Sequence, residues 1–298
     1  MQDAQPRRRI GIDLGGTKIE GAVLDVANQP VFRERIATES ARGYDHILDR
    51  IALLAETLRA RAPDCPMLGI GTPGSVSVRD GTMKNSNTTC LNGRHLPEDL
   101  TQRLGMPVRI ENDANCFALA EAQSGAGGCR GLVFGVILGT GVGGGIVYRG
   151  ELIRGPQHLA GEWGHHCIDP QGPACYCGQR GCVESFIAGP ALERQYQART
   201  GVAATMHEIV QAYRSGEPAA SEVFAGFIDR TGRALANVID ILDPDVIVLG
   251  GGLSNIEELY TLGRAAVTRY VFNDELRTPI RRNVLGDSAG VIGAALLV

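Results

Sequence analysis

Apolar positions along this chain alternate between two rhythms. Ile10, Ile12 and Leu14, then Ile19, Val23 and Leu24 across a Gly-Gly gap, predict two strands joined by a tight turn, a β-hairpin. Ile47, Ile51, Leu54 and Leu58 are spaced four, three and four, the apolar stripe of a helix over 44–62. Residues 67–72 read as a short strand stopped by Pro73-Gly74, and 108–111 as another. Asn112-Asp113-Ala114-Asn115 then opens a helix that runs to about Gln123. A second hairpin spans 133–148, and helices are predicted over 205–214, where Thr205 and Glu208 make a capping box, and over 218–242. The continuous apolar run ending at Gly250 reads as a buried parallel strand, and Ser254 with Glu257 predicts a capping box for a helix after it. Residues 287–297 form a helix of small residues suited to close packing.

Strands alternating with helices predict an α/β protein. The hydrophilic, glycine-rich stretch 124–130 marks a junction. The expected organisation is a smaller N-terminal α/β domain over 1–120 and a larger α/β domain over 121–286, with the C-terminal helix 287–298 packing back on the first.

Composition narrows the function classes. A chain of 298 residues with 44% hydrophobic and 21% charged residues is an ordinary globular one, and its net charge of −4 offers no footprint for nucleic acid. Arg7-Arg8-Arg9 is the sole basic run and reads as a solvated tail. No apolar run approaches the roughly 20 residues of a membrane span. Nothing resembles a targeting segment, so a cytoplasmic, reduced protein is expected.

Many of the 40 glycines cluster, and the clusters carry the chemistry. In Asp13-Leu14-Gly15-Gly16-Thr17-Lys18 the turn can present bare backbone N–H groups to a phosphate, with the Asp13 carboxylate placed to help hold Mg2+ through water. This is no Walker loop, because Thr17-Lys18 lead into a strand rather than a helix. Gly139-Thr140-Gly141 with Gly143 repeats the design, so two related halves would share the phosphates of one nucleotide. Gly250, Gly251 and Gly252 would let a flat nucleoside approach the backbone, although a plain strand-to-helix turn fits as well.

Further along, His165-His166 and Cys175-x-Cys177-x4-Cys182 offer the Cys3His set of structural zinc. Disulfide or redox chemistry is the rival reading, and the reduced context disfavours it. Either histidine could serve, and Cys167 is a poorer further candidate. Glu162 and Glu184 flank the ligand set, so a metal staple would hold two acceptors around a polyhydroxylated ligand. Asp113, at a strand-to-helix junction, is the candidate catalytic base, and Asn112 beside it could orient a hydroxyl; both residues also suit a plain helix cap. Asn85, Asn87 and Asn92 could be turn formers or sugar ligands.

Assembled, these motifs resemble the ROK-family bacterial sugar kinases over about residues 10–297, and within them the fructokinase/mannokinase members. The resemblance is carried by Asp13-x-Gly-Gly-Thr-Lys18, Pro73-Gly74, Asn112-Asp113-Ala-Asn115, Leu138-Gly-Thr-Gly141, Glu162-x-Gly-His165 and Cys175-x-Cys177-Gly-x-x-Gly-Cys182-x-Glu184. It implies the two-domain actin-like ATPase fold, with ribonuclease-H-like halves and an interdomain active site. It implies Asp113 as general base, and Asn112, Glu162, His165 and Glu184 as sugar ligands. His165, rather than His166, would give one ring nitrogen to zinc and the other to the sugar. Residues 15–18 and 139–144 match the phosphate turns, residues 250–252 lie by the nucleoside, and a homodimer is usual for relatives.

The loop Asn85-Ser86-Asn87-Thr88-Thr89-Cys90-Leu91-Asn92-Gly93 looks like the fructokinase version, although near relatives often carry Trp at the place of Cys90. The expected reaction is therefore ATP-dependent phosphorylation of fructose to fructose 6-phosphate, with Asn87 among the sugar contacts and mannose or glucose as further substrates. An N-acetylglucosamine kinase is the alternative. A sugar-sensing regulator is the non-enzymatic alternative; the nine residues before Ile10 leave no room for a helix-turn-helix, and the intact Asp13, Asp113 and phosphate turns argue against it. A zinc hydrolase would need an open coordination position that Cys3His does not leave.

Overall fold

The first hairpin is β1 (Arg9–Leu14) and β2 (Lys18–Leu24), with Leu14 opposite Ile19 and Asp13 opposite Glu20. β3 (Pro30–Ala37) continues it antiparallel at the sheet edge; its alternation of exposed and half-buried positions is that of a strand covered on one face. α1 (Tyr44–Arg59) buries Ile47, Ile51, Leu54 and Leu58, and stops short of residue 62 because Pro63 disfavours helical backbone before it. β4 (Leu68–Thr72) pairs parallel with β1, and β5 (Ser75–Val76) and β6 (Met83–Lys84) form a small ribbon beyond it. α2 (Leu96–Leu104), which the apolar pattern did not single out, starts with Pro97 in its first turn and ends on Gly105 in left-handed conformation. β7 (Val108–Asn112) pairs parallel with β4 and leads directly into α3 (Asp113–Ser124). The sheet order is β3-β2-β1-β4-β7.

β8 (Leu132–Leu138) and β9 (Val142–Tyr148) form the second hairpin. The two-residue β10 (Glu151–Leu152) follows, and then α4 (Glu184–Ile187), α5 (Gly189–Thr200), α6 (Met206–Arg214) and α7 (Pro218–Leu242). The expected Thr205–Glu208 capping box is present at α6. β11 (Val246–Gly250) pairs parallel with β8, α8 (Arg264–Tyr270) follows, and β12 (Ile280–Arg282) pairs parallel with β11. Pairing along β9-β8-β11-β12 is antiparallel, parallel, parallel, the same succession as β2-β1-β4-β7. The chain thus uses one ribonuclease-H-like design twice, as the two-domain actin-like ATPase fold does.

The computed structural model of the chain describes residues 7–298; the first six residues of the expected N-terminal tail lie outside the described residues. Two compact units emerge: Met1–Gly128 with Glu151–Ala160 and Leu285–Val298, and Cys129–Gly150 with Gly161–Val284. A boundary at 120/121 would cut α3, whose hydrogen bonding continues until Gly125 and Gly127 both donate to the Glu121 carbonyl. The chain leaves the first unit only after that bonding ends. α9 (Ala289–Leu296) lies in the first unit against β1, β4 and α3. Backbone meets backbone there: a Cβ at Gly69 would overlap the Ala294 carbonyl, and one at Gly293 would overlap the carbonyl of Cys116.

One expected cap is absent. Ser254 lies inside a 3-10 turn (Gly252–Asn255) with its hydroxyl donating to the Gly251 carbonyl at 2.7 Å, while Glu257 takes Arg282 at 2.7 Å. The serine is buried, so its hydroxyl is satisfied within the turn instead of capping a helix.

Candidate active site

In the first unit the parallel pairing of β1, β4 and β7 sets their carboxyl ends along one edge, where ligands of α/β sheets gather. Asp13 is the penultimate residue of β1, Pro73-Gly74 follow β4, and Asn112-Asp113 join β7 to α3. Gly15 donates its N–H to the Lys18 carbonyl at 3.0 Å, and Thr38 and Ser40 hydroxyls hold the Gly15 and Gly16 carbonyls at 2.7 and 2.9 Å. Gly16, Thr17 and Lys18 stay exposed, and Lys18 stands 4.0 Å from Asp287.

Asn112 caps α3: its amide oxygen accepts from Ala114 N–H at 2.9 Å, and its amide nitrogen donates to the Gly74 carbonyl at 3.1 Å. Both ends of the side chain are thereby engaged, which is the cap reading. Asp113 is the exposed first residue of the helix, and one carboxylate oxygen accepts from Ala114 N–H at 2.8 Å. Burial, then the charges of Asp113 and Glu20, push the Asp13 carboxyl up to about 7, against the opposing pull of Lys18 and Arg35. Glu20 is itself buried and takes the Arg35 guanidinium at 2.6 Å. Crowded carboxylates of this kind favour a divalent cation, and oxygen donors suit Mg2+.

The loop asparagines divide. Asn92 braces the loop on itself, accepting from Ser86 N–H and donating to the Ser86 carbonyl, each at 2.9 Å. Asn85 occupies a left-handed turn position at φ 59°, and Asn87 is exposed.

In the second unit Gly139, Thr140 and Gly141 form the β8–β9 turn, closed by Gly139 N–H on the Gly141 carbonyl at 3.0 Å. Glu184, first residue of α4, accepts from Val142 N–H at 2.8 Å through one carboxylate oxygen. Gly143 falls within β9 opposite Ile137, and its carbonyl accepts from Trp163 Nε1 at 2.9 Å. Gly250 ends β11; Gly251, at φ 78°, packs so tightly that a Cβ would overlap the Leu138 carbonyl; and Gly252 opens the following turn. The two glycine motifs are therefore neighbours at the carboxyl edge of β8 and β11.

Trp163 seats the Cys-rich loop, with its ring edge-on to Phe134 at 5.8 Å and its indole N–H on β9. Glu162 is exposed just before it. His165, Cys175, Cys177 and Cys182 place their ligand atoms within 4.8 Å of one another. His165 Nδ1 lies 3.5 Å from Cys175 Sγ, and Cys177 Sγ lies 3.6 Å from Cys182 Sγ. With Zn–S near 2.3 Å and Zn–N near 2.0–2.1 Å, the edges of a tetrahedral site measure about 3.5–3.8 Å. The donor set fits zinc in kind and in spacing. His166 turns away, its Nε2 3.2 Å from Asn237 Nδ2, and Cys167 lies outside the cluster, bridged through its backbone to Cys182.

Three contributors escaped the sequence reading. Glu20 was findable, because counting outward from the Gly15–Lys18 turn puts it opposite Asp13. Arg154, which binds Glu111 at 2.6 Å, and Tyr176, which meets His165, depend on loop paths that no local pattern encodes.

Twin ribonuclease-H-like units with a glycine turn after the first strand of each are the frame of the actin-like ATPase class. The ROK family model matches residues 9–298. An N-acetyl-D-glucosamine kinase from Vibrio atlanticus is 38% identical over 298 residues, covering 96% of this chain and 98% of the relative. An N-acetylgalactosamine kinase from Shewanella sp. is 37% identical over 295 residues, covering 96% and 95%. The crystal structure of a ROK hexokinase from Thermus thermophilus superposes with a TM-score of 0.89 at 33% identity, covering 97% of each chain. The chain belongs to the ROK family and is an ATP-dependent sugar kinase.

These relatives overturn the fructose expectation, since kinases 37% and 38% identical to this chain act by name on N-acetylated sugars. The physical reason is visible in the loop on which fructose rested: Asn92 ties the loop together and Asn85 shapes a turn, so its asparagine pattern reports backbone geometry rather than sugar choice.

The carboxylate cluster gives the first expected outcome. Asp13 titrates near 7 when folded and near 3.8 when unfolded, so the native state holds the extra proton, and stability falls as pH rises between these values. Removing that charge should help above the window. In urea unfolding without Mg2+, Asp13→Asn should gain on the wild type as pH goes from 4 to 8, by an amount on the order of a few kcal/mol. A difference that does not change with pH would contradict the assignment.

Proposed function

We propose that the protein transfers the γ-phosphoryl group of ATP to a hydroxyl of N-acetyl-D-glucosamine. The observation that carries this reading is the 38% identity, over nearly the full length of both chains, to a kinase named for that sugar. A relative of almost equal identity also acts on an acetamido sugar, which supports the substrate class.

Asp113 is the general base in this proposal. Its place as exposed first residue of α3 supports that role, because the helix N-terminus favours the carboxylate and Asn112 holds the cap that aims it. The Gly15–Lys18 and Gly139–Gly141 turns grip the phosphates through the backbone N–H groups not used in closing them. Mg2+ bound with ATP neutralises charge on the transferring group, and Asp13 helps hold it. Glycines 250–252 admit the nucleoside. Glu162, His165 and Glu184 bind sugar hydroxyls and bring the reacting oxygen into line, with exposed Asn87 as a further contact.

His165, Cys175, Cys177 and Cys182 would hold a structural zinc ion, supported by ligand spacings that match a tetrahedron. Zinc supplies no reaction step here; it pins the loop that carries the sugar ligands.

Three measurements test this. Steady-state kinetics with N-acetylglucosamine, N-acetylgalactosamine, glucose, mannose and fructose should give the highest kcat/KM for N-acetylglucosamine, and a higher value for any unacetylated hexose would sink the reading. Asp113→Asn should bind sugar normally and lose roughly 10²–10⁴ in kcat; near-normal turnover excludes Asp113 as base. Elemental analysis of the purified protein should find about one zinc per chain, and Cys182→Ser should lose it; metal-free native protein removes zinc from the account.

A further inference from the structure

The turn between β1 and β2 is braced by one short segment just past β3. Thr38 is fully buried there; its hydroxyl donates to the Gly15 carbonyl at 2.7 Å, and its backbone N–H donates to the Thr17 carbonyl at 3.0 Å. The half-buried Ser40 donates its hydroxyl to the Gly16 carbonyl at 2.9 Å. The successive carbonyls of residues 15, 16 and 17 are thus all taken by Thr38 and Ser40.

That brace fixes more than the carbonyls. A trans peptide group is planar, so its C=O and the N–H of the next residue point in opposite directions. No peptide bond among the described residues is cis. Holding the Gly15 and Gly16 carbonyls toward Thr38 and Ser40 therefore turns the Gly16 and Thr17 N–H groups the other way. Among the described residues neither N–H has an acceptor, and both residues are exposed. The Gly15 N–H, by contrast, closes the turn on the Lys18 carbonyl at 3.0 Å. One donor is spent on closure and two are aimed outward, an arrangement that receives an anion.

The bracing segment is itself in an unfavourable conformation. Glu39, between the two hydroxyl residues, has φ 52°, in the left-handed region that a Cβ disfavours. From there the chain enters a single 3-10 turn, Ser40–Arg42. The Glu39 carboxylate is held in turn, accepting from His46 Nε2 of α1 at 2.7 Å and from Arg42 at 3.2 Å. A strained residue secured by two side-chain contacts marks a place where local geometry matters to function.

We propose that Thr38 and Ser40 are positioning residues for ATP: their hydroxyls set the peptide planes that aim the Gly16 and Thr17 N–H groups at the phosphates. This rests on the reading of the Gly15–Lys18 turn as a phosphate grip and deepens it by naming what keeps the donors in line. Donors set in advance need no reorganisation when the nucleotide arrives, so the brace acts on affinity for the phosphates. Neither hydroxyl has to touch the nucleotide.

The test compares Ser40→Ala and Thr38→Val, which each remove one hydroxyl, with Ser40→Thr and Thr38→Ser, which keep it. Calorimetry without sugar measures binding of MgATP and of adenosine, and steady-state kinetics give KM for ATP and for N-acetylglucosamine. Ser40→Ala should weaken MgATP binding roughly fivefold, and Thr38→Val more, since it sets a methyl group against the Gly15 carbonyl. Adenosine binding and the sugar KM should stay within about twofold, and both hydroxyl-keeping variants should restore MgATP affinity. Equal losses for MgATP, adenosine and sugar would overturn the proposal. So would a lowered urea midpoint with MgATP affinity unchanged, because the hydroxyls would then only steady the end of the sheet. Failure of the underlying reading looks different: wild-type protein would bind MgATP no more tightly than adenosine, which removes the grip and the proposal with it. The binding arm contains no sugar, so its outcome does not depend on which sugar the enzyme prefers.

Discussion

Parallel pairing of strands is the constraint on which this protein's chemistry depends. In the first unit β1, β4 and β7 point the same way, and in the second β8, β11 and β12 do. Every chain reversal at a carboxyl end then falls along one edge of its sheet. Asp13, Gly74 and Asp113 are far apart in sequence and become neighbours for that reason alone, as do the glycine motifs at 139–141 and 250–252. Slipping any one of these strands by a residue would turn its last side chain to the opposite face. The buried aliphatic positions of β1, β4 and β11 resist that slip, because a shift would move them out of cores that are closed on both sides.

Crowding at that edge has an electrostatic consequence. Asp13, Glu20 and Asp113 gather in the first unit, and the half-exposed Arg35 guanidinium pairs with buried Glu20, leaving Asp13 to bear the repulsion. A carboxyl kept near neutrality in this way binds a cation readily, because the ion relieves an existing cost. In the second unit the corresponding feature is a knot of side chains in a loop that has almost no regular structure between Trp163 and Glu184. Trp163 fastens its start to β9, and Glu184 fastens its end to the glycine turn. The Cys3His cluster lies between those two anchors. One loop therefore connects the Cys3His cluster, the glycine turn and two exposed or half-exposed carboxylates.

The legible parts of the fold were those governed by local periodicity or by special backbone chemistry. Both hairpins, the stripe of α1, the capping box of α6 and the long α7 could be read directly, because each is specified by residues close in sequence. α2, α5, α8 and β3 were not, since their apolar positions are few and their burial comes from neighbours distant in the chain. Ser254 shows the opposite failure: its spacing to Glu257 satisfies a capping rule, yet burial in a glycine-started turn redirects its hydroxyl. The sugar loop failed similarly, for asparagine is as useful in closing a turn as in binding a hydroxyl, and spacing does not separate the two uses.

By itself the amino-acid sequence determined the class of this protein: an α/β chain built twice on a glycine-turn hairpin, with a Cys3His set at metal-binding spacing and an aspartate at a strand-to-helix junction. These follow from short-range rules, in which periodicity sets strand or helix, glycine sets turns, and ligand spacing sets chelation. Only the tertiary structure decided that His166 turns to Asn237, that Asn112 is engaged at both ends as a cap, and that Tyr176 reaches His165. Each of those depends on the direction in which a side chain leaves a loop or strand. That direction is set by packing against residues far away in the chain, which no local pattern records.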